Sequence, residues 1–249
     1  MRRSVRAADA ALLAVLVLVL VFVGVTLQRF TSGSSGALVP AAGPVGTPGF
    51  LQAVQGPPRL LVIGDDFAAG EGASTPANGF ARVLADELDA PYTIDALPDS
   101  GFVARGPEAG VDGSFPARVQ RLVERDGPEP DLVVVEGGHE DYAASPRELR
   151  AAVELTAERL TEAYPDAQVL IMGTTRAFPE NQVLEPLHRA LRAGAEAAGV
   201  PFIDPVAEQW VRADNTAAVI SPDLFHPNDA GHALWASRLL AAVRALPAA

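Results

Sequence analysis

The side chains in this 249-residue chain that could do chemistry are carboxylates and imidazoles. There are no cysteines, which removes disulfides, Cys-ligated zinc, iron–sulfur clusters and thiol catalysis. Two adjacent acids stand at Gly64-Asp65-Asp66, and acids stand with a histidine at Gly138-His139-Glu140-Asp141 and Asp223-Leu224-Phe225-His226. Asp223 and His226 stand three apart before Pro227, a spacing that predicts an Asp223–His226 hydrogen bond with Nε2 of His226 facing the Asp66 loop. A carboxylate such as Asp66 is a competent nucleophile at sp3 carbon or phosphorus, with His226 activating water to open the intermediate. Asp66, Glu140 and His226 would also suit a metal ion if all three converged within about 2.0–2.6 Å of it. The spacing alone does not require that, and no metal or other cofactor is assigned. His188 and His232 fall on helical stretches and read as packing or surface residues.

Positioning these groups requires alternating strands and helices. Apolar runs at 59–63, 92–96, 131–135, 168–172 and 200–203 read as short strands, several of them closed by glycine (Gly64, Gly137, Gly173). Helical stretches are predicted at 79–88, 115–125, 146–164, 181–198 and 228–246, with Pro146 in a first turn, Gly199 after a helix end and Asn228 as an N-cap. Strands of about five residues separated by helices imply parallel βαβ units. The expected fold is α/β: a three-layer α/β/α sandwich on a parallel five-stranded sheet. Ligands in such sheets bind at the carboxyl ends of the strands, which is where the first two of the three stretches fall.

The N-terminus sets location. Ala10 to Leu27 is apolar except for Thr26, long enough at 1.5 Å per residue to reach about 27 Å, close to a bilayer core of roughly 30 Å. Arg2, Arg3 and Arg6 precede it and only Arg29 follows, so the positive-inside bias leaves the rest of the chain outside the cytoplasm. The reading is a cytoplasmic segment 1–9, a transmembrane signal anchor 10–28, a Gly/Pro/Ser-rich linker 29–58 and a folded domain 59–249. The alternative is a cleaved signal peptide and a secreted domain. Every basic side chain is arginine, and the net charge is −12 from 31 acidic and 19 basic residues. A body this acidic repels phosphate backbones and is not a nucleic-acid binder.

From Arg59 onward the chain resembles the SGNH hydrolases, also called the GDSL esterase and lipase family, whose fold is the flavodoxin-like sandwich expected above. The resemblance rests on four blocks in order: Gly64-Asp65-Asp66 with Gly70; Asp99-Ser100-Gly101; Gly138-His139-Glu140-Asp141; and Asp223-Leu224-Phe225-His226 with Pro227. In that family a Ser in the first block attacks an ester carbonyl and the His of the last block takes its proton. The Ser and Gly backbone N–H groups and an Asn side chain hold the oxyanion. By that correspondence Asp66 occupies the nucleophile position, Glu140 the Asn position, Gly101 the backbone-donor position, and Asp223 and His226 are orienter and base. His139 takes the variable slot of its block, and Asp65 the acid that braces the first loop.

Two of these positions depart from the pattern. A carboxylate has no proton for His226 to remove, and its attack on an ester would give a high-energy anhydride. Losing one neutral oxyanion donor costs about 2.7–4 kcal/mol of barrier, and an ionised Glu140 would cost more. Three functions stay open: a degenerate domain that binds a cell-wall or acylated-glycan ligand, a hydrolase with altered chemistry on Asp66, or a metal site.

Overall fold

A computed structural model describes residues 49–175 and 185–247. In chain order the elements are α1 (Phe50–Ala53), β1 (Leu60–Gly64), α2 (Asp66–Ala69), α3 (Phe80–Glu87), β2 (Tyr92–Ala96), α4 (Phe115–Val123), β3 (Leu132–Gly137), α5 (Pro146–Ala163), β4 (Gln168–Gly173), α6 (Glu185–Ala197), β5 (Phe202–Ile203), α7 (Thr216–Val219) and α8 (Asp229–Ala245). Single 3-10 turns lie at Pro76–Asn78 and Glu140–Ala143. The five strands form one sheet in the order β2-β1-β3-β4-β5, every pairing parallel.

Period-2 alternation of the strands divides the core. Leu60, Val62, Leu132, Val134, Leu170 and Met172 face one layer with Phe80, Leu84, Trp235 and Leu239 of α3 and α8. Leu61, Ile63, Val133, Val135, Val169 and Ile171 face the other with Val119, Leu149, Val153 and Leu191 of α4, α5 and α6. β1 and β3 are buried along their whole length, which is why they read as unbroken apolar runs. Each fully buried Val or Leu contributes about 1.5–3 kcal/mol relative to exposure.

The helix ends follow their cap residues. Ser145 opens α5 with a reciprocal capping box to Glu148 and Pro146 in the first turn. Asn228 opens α8, its side chain accepting from Gly231 N at 3.0 Å. The expected sheet is present, and so are the helices within the described residues; the start of the helix expected at 181–198, residues 181–184, lies outside them. β1, β3 and β4 end at Gly64, Gly137 and Gly173.

The folded unit starts earlier than 59. Phe50 is 3% exposed and joins the α8 side of the core. Its N–H donates to Leu246 O at 2.9 Å, and Gly49 bridges Pro247. Two apolar residues in a Gly/Pro-rich stretch are too few to show a period, so the sequence placed them in the linker. No helix among the described residues is long and apolar enough to cross a membrane; the apolar run 10–27 lies outside them.

Candidate active site

The carboxyl ends of β1 and β3 bring two acids and a histidine together. Just past Gly64, Asp65 caps α2, its Oδ1 accepting from Phe67 N at 3.1 Å. Asp66 is the first residue of α2 and is 5% exposed. Its Oδ1 accepts the Asp99 N–H at 2.7 Å. Its Oδ2 lies 3.4 Å from His139 Nε2 and 3.5 Å from His226 Nε2. Burial alone would raise the Asp66 pKa. Hydrogen bonds from His139 and Asp99 N outweigh it and hold the carboxyl below the usual range, so Asp66 is ionised at neutral pH.

His139 is buried behind Asp66, its ring stacked on Phe67 at 4.7 Å between centroids. Its Nδ1 stands 3.3 Å from Asp65 Oδ2 and 3.4 Å from Thr174 Oγ1. Its Nε2 stands 3.3 Å from Glu140 Oε1. Burial works against its charge, but Asp65, Asp66, Glu140 and Glu136 raise its pKa well above the usual imidazole value, leaving an imidazolium. Glu136, the penultimate residue of β3, is 1% exposed, and burial and the nearby Asp65 push its pKa well up. Burial raises Asp65 to about 6 against the pull of His139. Asp65 Oδ2 and both Glu136 carboxyl oxygens find no N–H or hydroxyl donor. A proton held by Glu136 and shared with Asp65 pairs one oxygen of each.

The third stretch supplies His226. Asp223 Oδ2 is 2.7 Å from His226 Nδ1. Asp223 Oδ1 accepts from Ser221 Oγ at 2.5 Å and from the N–H groups of Phe225 and His226 at 2.9 and 3.0 Å. Burial opposes the charge, but the bonds from Ser221 and His226 and the two N–H groups hold Asp223 below the usual carboxylate range. Leu224 reverses the chain with φ 64°. The other side of His226 meets Gly72 (φ 82°), where a Cβ would stand 2.4 Å from Pro227 O and 2.6 Å from His226 Cβ. That approach sets Glu71 Oε2 3.5 Å from His226 Nε2.

The expected residues therefore gather as predicted in part. Asp223, His226 and Asp66 line up, and Glu140 joins through His139. The backbone N–H at Asp66 belongs to Asp99 rather than to Gly101. Gly101 N donates to Ala104 O at 3.0 Å, and a Cβ on Gly101 would stand 2.6–2.8 Å from the Asp141 carboxylate. Asp141 holds that loop by accepting from Phe102 N, Val103 N and Ala104 N at 2.9, 2.7 and 2.8 Å. Ser74 Oγ and Ser100 Oγ donate to Asp229 Oδ2 and Leu97 O at 2.7 and 2.6 Å, so neither is presented to His226.

Sequence reasoning missed His139, Glu71 and Asp99. His139 was given a variable slot, yet it is the residue of its block that packs on Asp66. The 3-10 turn at Glu140–Ala143 decides which of four consecutive residues points inward, and no periodicity announces such a turn. Asp99 carried one signal, since acids tolerate the left-handed conformation it adopts (φ 58°). His188 and His232 are buried packing residues. His232 Nδ1 accepts from Phe80 N at 3.2 Å and Nε2 donates to Glu71 O at 2.9 Å.

Chemically, the centre holds Asp66, Glu140, Glu71 and Asp223 around two imidazoles. Asp66 Oδ1 takes up the Asp99 N–H, so that donor is not free for an oxyanion, and neither Ser74 nor Ser100 among the described residues is presented beside it. Among the described residues, three ligand sets converge closely enough for an ion: Asp65, Glu136 and His139; Asp66, His139 and Glu140; and Asp66, Glu71 and His226. The set Asp66, Glu140 and His226 foreseen from sequence is thus divided between two of them.

Residues 62–234 match the GDSL-like lipase/acylhydrolase family. The chain is 28% identical over 196 residues to the GDSL lipase Rv0518 of Mycobacterium tuberculosis, covering 72% of this chain and 79% of that protein. Among solved structures it is similar to the inhibitor-bound aryl esterase of M. smegmatis (TM-score 0.56, 18% identity, 76% of this chain and 99% of that one). It is also similar to a family two carbohydrate esterase from Clostridium thermocellum in complex with cellohexaose (TM-score 0.56, 17% identity, 76% and 65%). At those identities the structural likeness shows the fold. The family match spans more than half of the chain and includes Asp66, Gly101, Glu140, Asp223 and His226, so the chain belongs to the GDSL-like lipase/acylhydrolase family.

Proposed function

We propose that this protein is a membrane-anchored, extracytoplasmic hydrolase-fold domain that binds a cell-wall or acylated-glycan ligand without turning over esters as a serine esterase. The observation that carries the reading is the Asp66 carboxylate with Asp99 N–H on one oxygen and His139 and His226 beside the other, at the residue that the sequence resemblance aligns with the family's nucleophile. An ester attacked there would need a hydroxyl to deprotonate and a donor for the new oxyanion. Both places are filled by one negative group. Anchoring rests on the apolar run 10–27 and its arginine flanks. The exposed Tyr142, Leu224 and Phe225 on the loops that carry His139 and His226 offer apolar and aromatic surface to an acyl chain or sugar ring.

The test pairs turnover with retention. The full-length chain is assayed on p-nitrophenyl acetate and on acetylated cell-wall glycan, and the same preparation is tested for pelleting with that glycan. Retention without hydrolysis is expected. Hydrolysis that Asp66→Ala and His226→Ala both abolish would replace this reading with the second one. That second reading takes Asp66 as a nucleophile toward sp3 carbon or phosphorus, and the 3.5 Å approach of His226 Nε2 to Asp66 Oδ2 favours it. An adduct on Asp66 found by mass spectrometry would establish it.

A further inference from the structure

We infer that Asp66, Glu71 and His226 form a binding site for a divalent transition-metal ion of the zinc class. His226 is the central ligand. Its Nδ1 is committed to Asp223 Oδ2 at 2.7 Å, so with Nδ1–H as donor its Nε2 presents a lone pair. That Nε2 is buried and makes no hydrogen bond. It faces two carboxylate oxygens, Asp66 Oδ2 and Glu71 Oε2, each at 3.5 Å. A lone pair aimed at two anionic oxygens is repulsive unless a proton or a metal ion lies between them.

The spacing fits a metal better than a hydrogen bond. An N–H···O bond spans about 2.7–3.2 Å. The edge of a tetrahedron with metal–ligand bonds of about 2.0–2.2 Å is about 3.3–3.6 Å. The three ligand atoms all lie within 4.8 Å of one another. One imidazole and two carboxylates is a donor set that suits zinc-like ions, and three protein ligands leave one position of a tetrahedron for water or a ligand. The Asp223–His226 pair supplies the carboxylate–histidine arrangement that orients a ligating imidazole.

The surrounding fold builds the site. Glu71 O accepts from His232 Nε2 at 2.9 Å, and Ser74 N donates to Asp229 Oδ1 at 2.7 Å, so α8 grips the loop that carries Glu71. Gly72 allows that loop to close on His226. Asp66 Oδ1 is fixed by Asp99 N, which leaves Oδ2 for the ion. His139 stands between Asp65, Asp66 and Glu140 with both ring nitrogens beside carboxylates, so N–H groups rather than lone pairs face them and the alternative group of Asp66, His139 and Glu140 is closed to a second ion.

The inference does not depend on whether the domain turns over esters. The full-length chain, purified in detergent and stripped with a chelator, is titrated with Zn²⁺ alone. One saturable equivalent and a rise in melting temperature are expected. Glu71→Gln and His226→Asn are expected to lose saturable uptake, and Asp223→Asn to weaken it by about 10–100-fold. Glu140→Gln is expected to bind as the wild type does. Melting curves of the metal-free variants show whether each is folded; if His226→Asn is not, Glu71→Gln, whose side chain is half-exposed, carries the test. No saturable uptake by the wild type, or unchanged uptake by folded Glu71→Gln, overturns the site. So does loss in Glu140→Gln with retention in Glu71→Gln. Assaying the metal-free and loaded wild type on p-nitrophenyl acetate keeps the two questions apart: ester turnover by the metal-free protein would overturn the non-hydrolytic reading and leave the metal site standing.

Discussion

Asp99 donates its backbone N–H to Asp66 Oδ1 at 2.7 Å, from a left-handed backbone conformation with φ 58°. The loop after β2 thus presents a donor to the first residue after β1's capping acid, and in this chain a carboxylate accepts it. A neutral hydroxyl at position 66 would free that donor for another acceptor.

Repair of the site follows from this contact. Asp66→Ser combined with His139→Asn is expected to hydrolyse p-nitrophenyl acetate. Asp223 and His226 already form an oriented pair, Asp99 supplies a backbone donor, and an amide at 139 would lie where an imidazole now touches residue 66. The double variant should exceed Asp66→Ser alone by about 10²–10³ in kcat, the usual worth of one oxyanion donor. Asp66→Ser with Glu140→Asn is the comparison, and greater activity there would assign the donor position to 140. Adding His226→Ala should remove the gain in either background.

Asp141 anchors the 101–104 loop through three backbone N–H groups while itself 1% exposed. Asp141→Ala would leave those donors without partners, at about 1–3 kcal/mol for each that water cannot reach. A urea midpoint lowered by the equivalent of about 3 kcal/mol or more is expected, and a loss below about 1 kcal/mol would mean that the loop refolds around the change.

Gly72→Ala tests the approach of the two loops. A Cβ would collide with Pro227 O and His226 Cβ, on a backbone at φ 82°. The left-handed conformation alone costs a non-glycine residue about 1–3 kcal/mol. Denaturation should show a loss at least that large.

Stability should fall from mildly acidic to alkaline pH. Burial raises Glu136 and Asp65, the latter to about 6, and the surrounding acids raise His139. The native state therefore holds protons that the unfolded chain has released, and stability declines as pH rises from about 4 through these native pKa values. Asp66 and Asp223 are depressed, so their contribution is present above their unfolded pKa of about 4 and lost as pH falls below it. The melting temperature should be higher at about pH 5 than at about pH 8. Glu136→Gln, whose amide can donate to Asp65 at every pH, should shrink that difference. An unchanged difference would place the titrating protons elsewhere.

The described architecture was legible because its causes are local. Runs such as Leu-Val-Val-Val at 132–135 become buried parallel strands, glycines end β1, β3 and β4, and Ser145 and Asn228 start helices through their own side chains. The Asp223–His226 pair was legible for the same reason: two residues three apart on one tight turn must meet. Which other groups meet them was not. His139 reaches Asp66 across 73 residues and Glu71 meets His226 because α8 holds its loop from 161 residues away. Those encounters depend on sheet register, on a 3-10 turn that selects His139 as the inward residue, and on Gly72 leaving room for a neighbouring loop. The sequence by itself determined the fold, the family and one half of the site. The partners of Asp66, and the protons the buried acids keep, were decided only when packing removed water from β1, β3 and the loops beyond them.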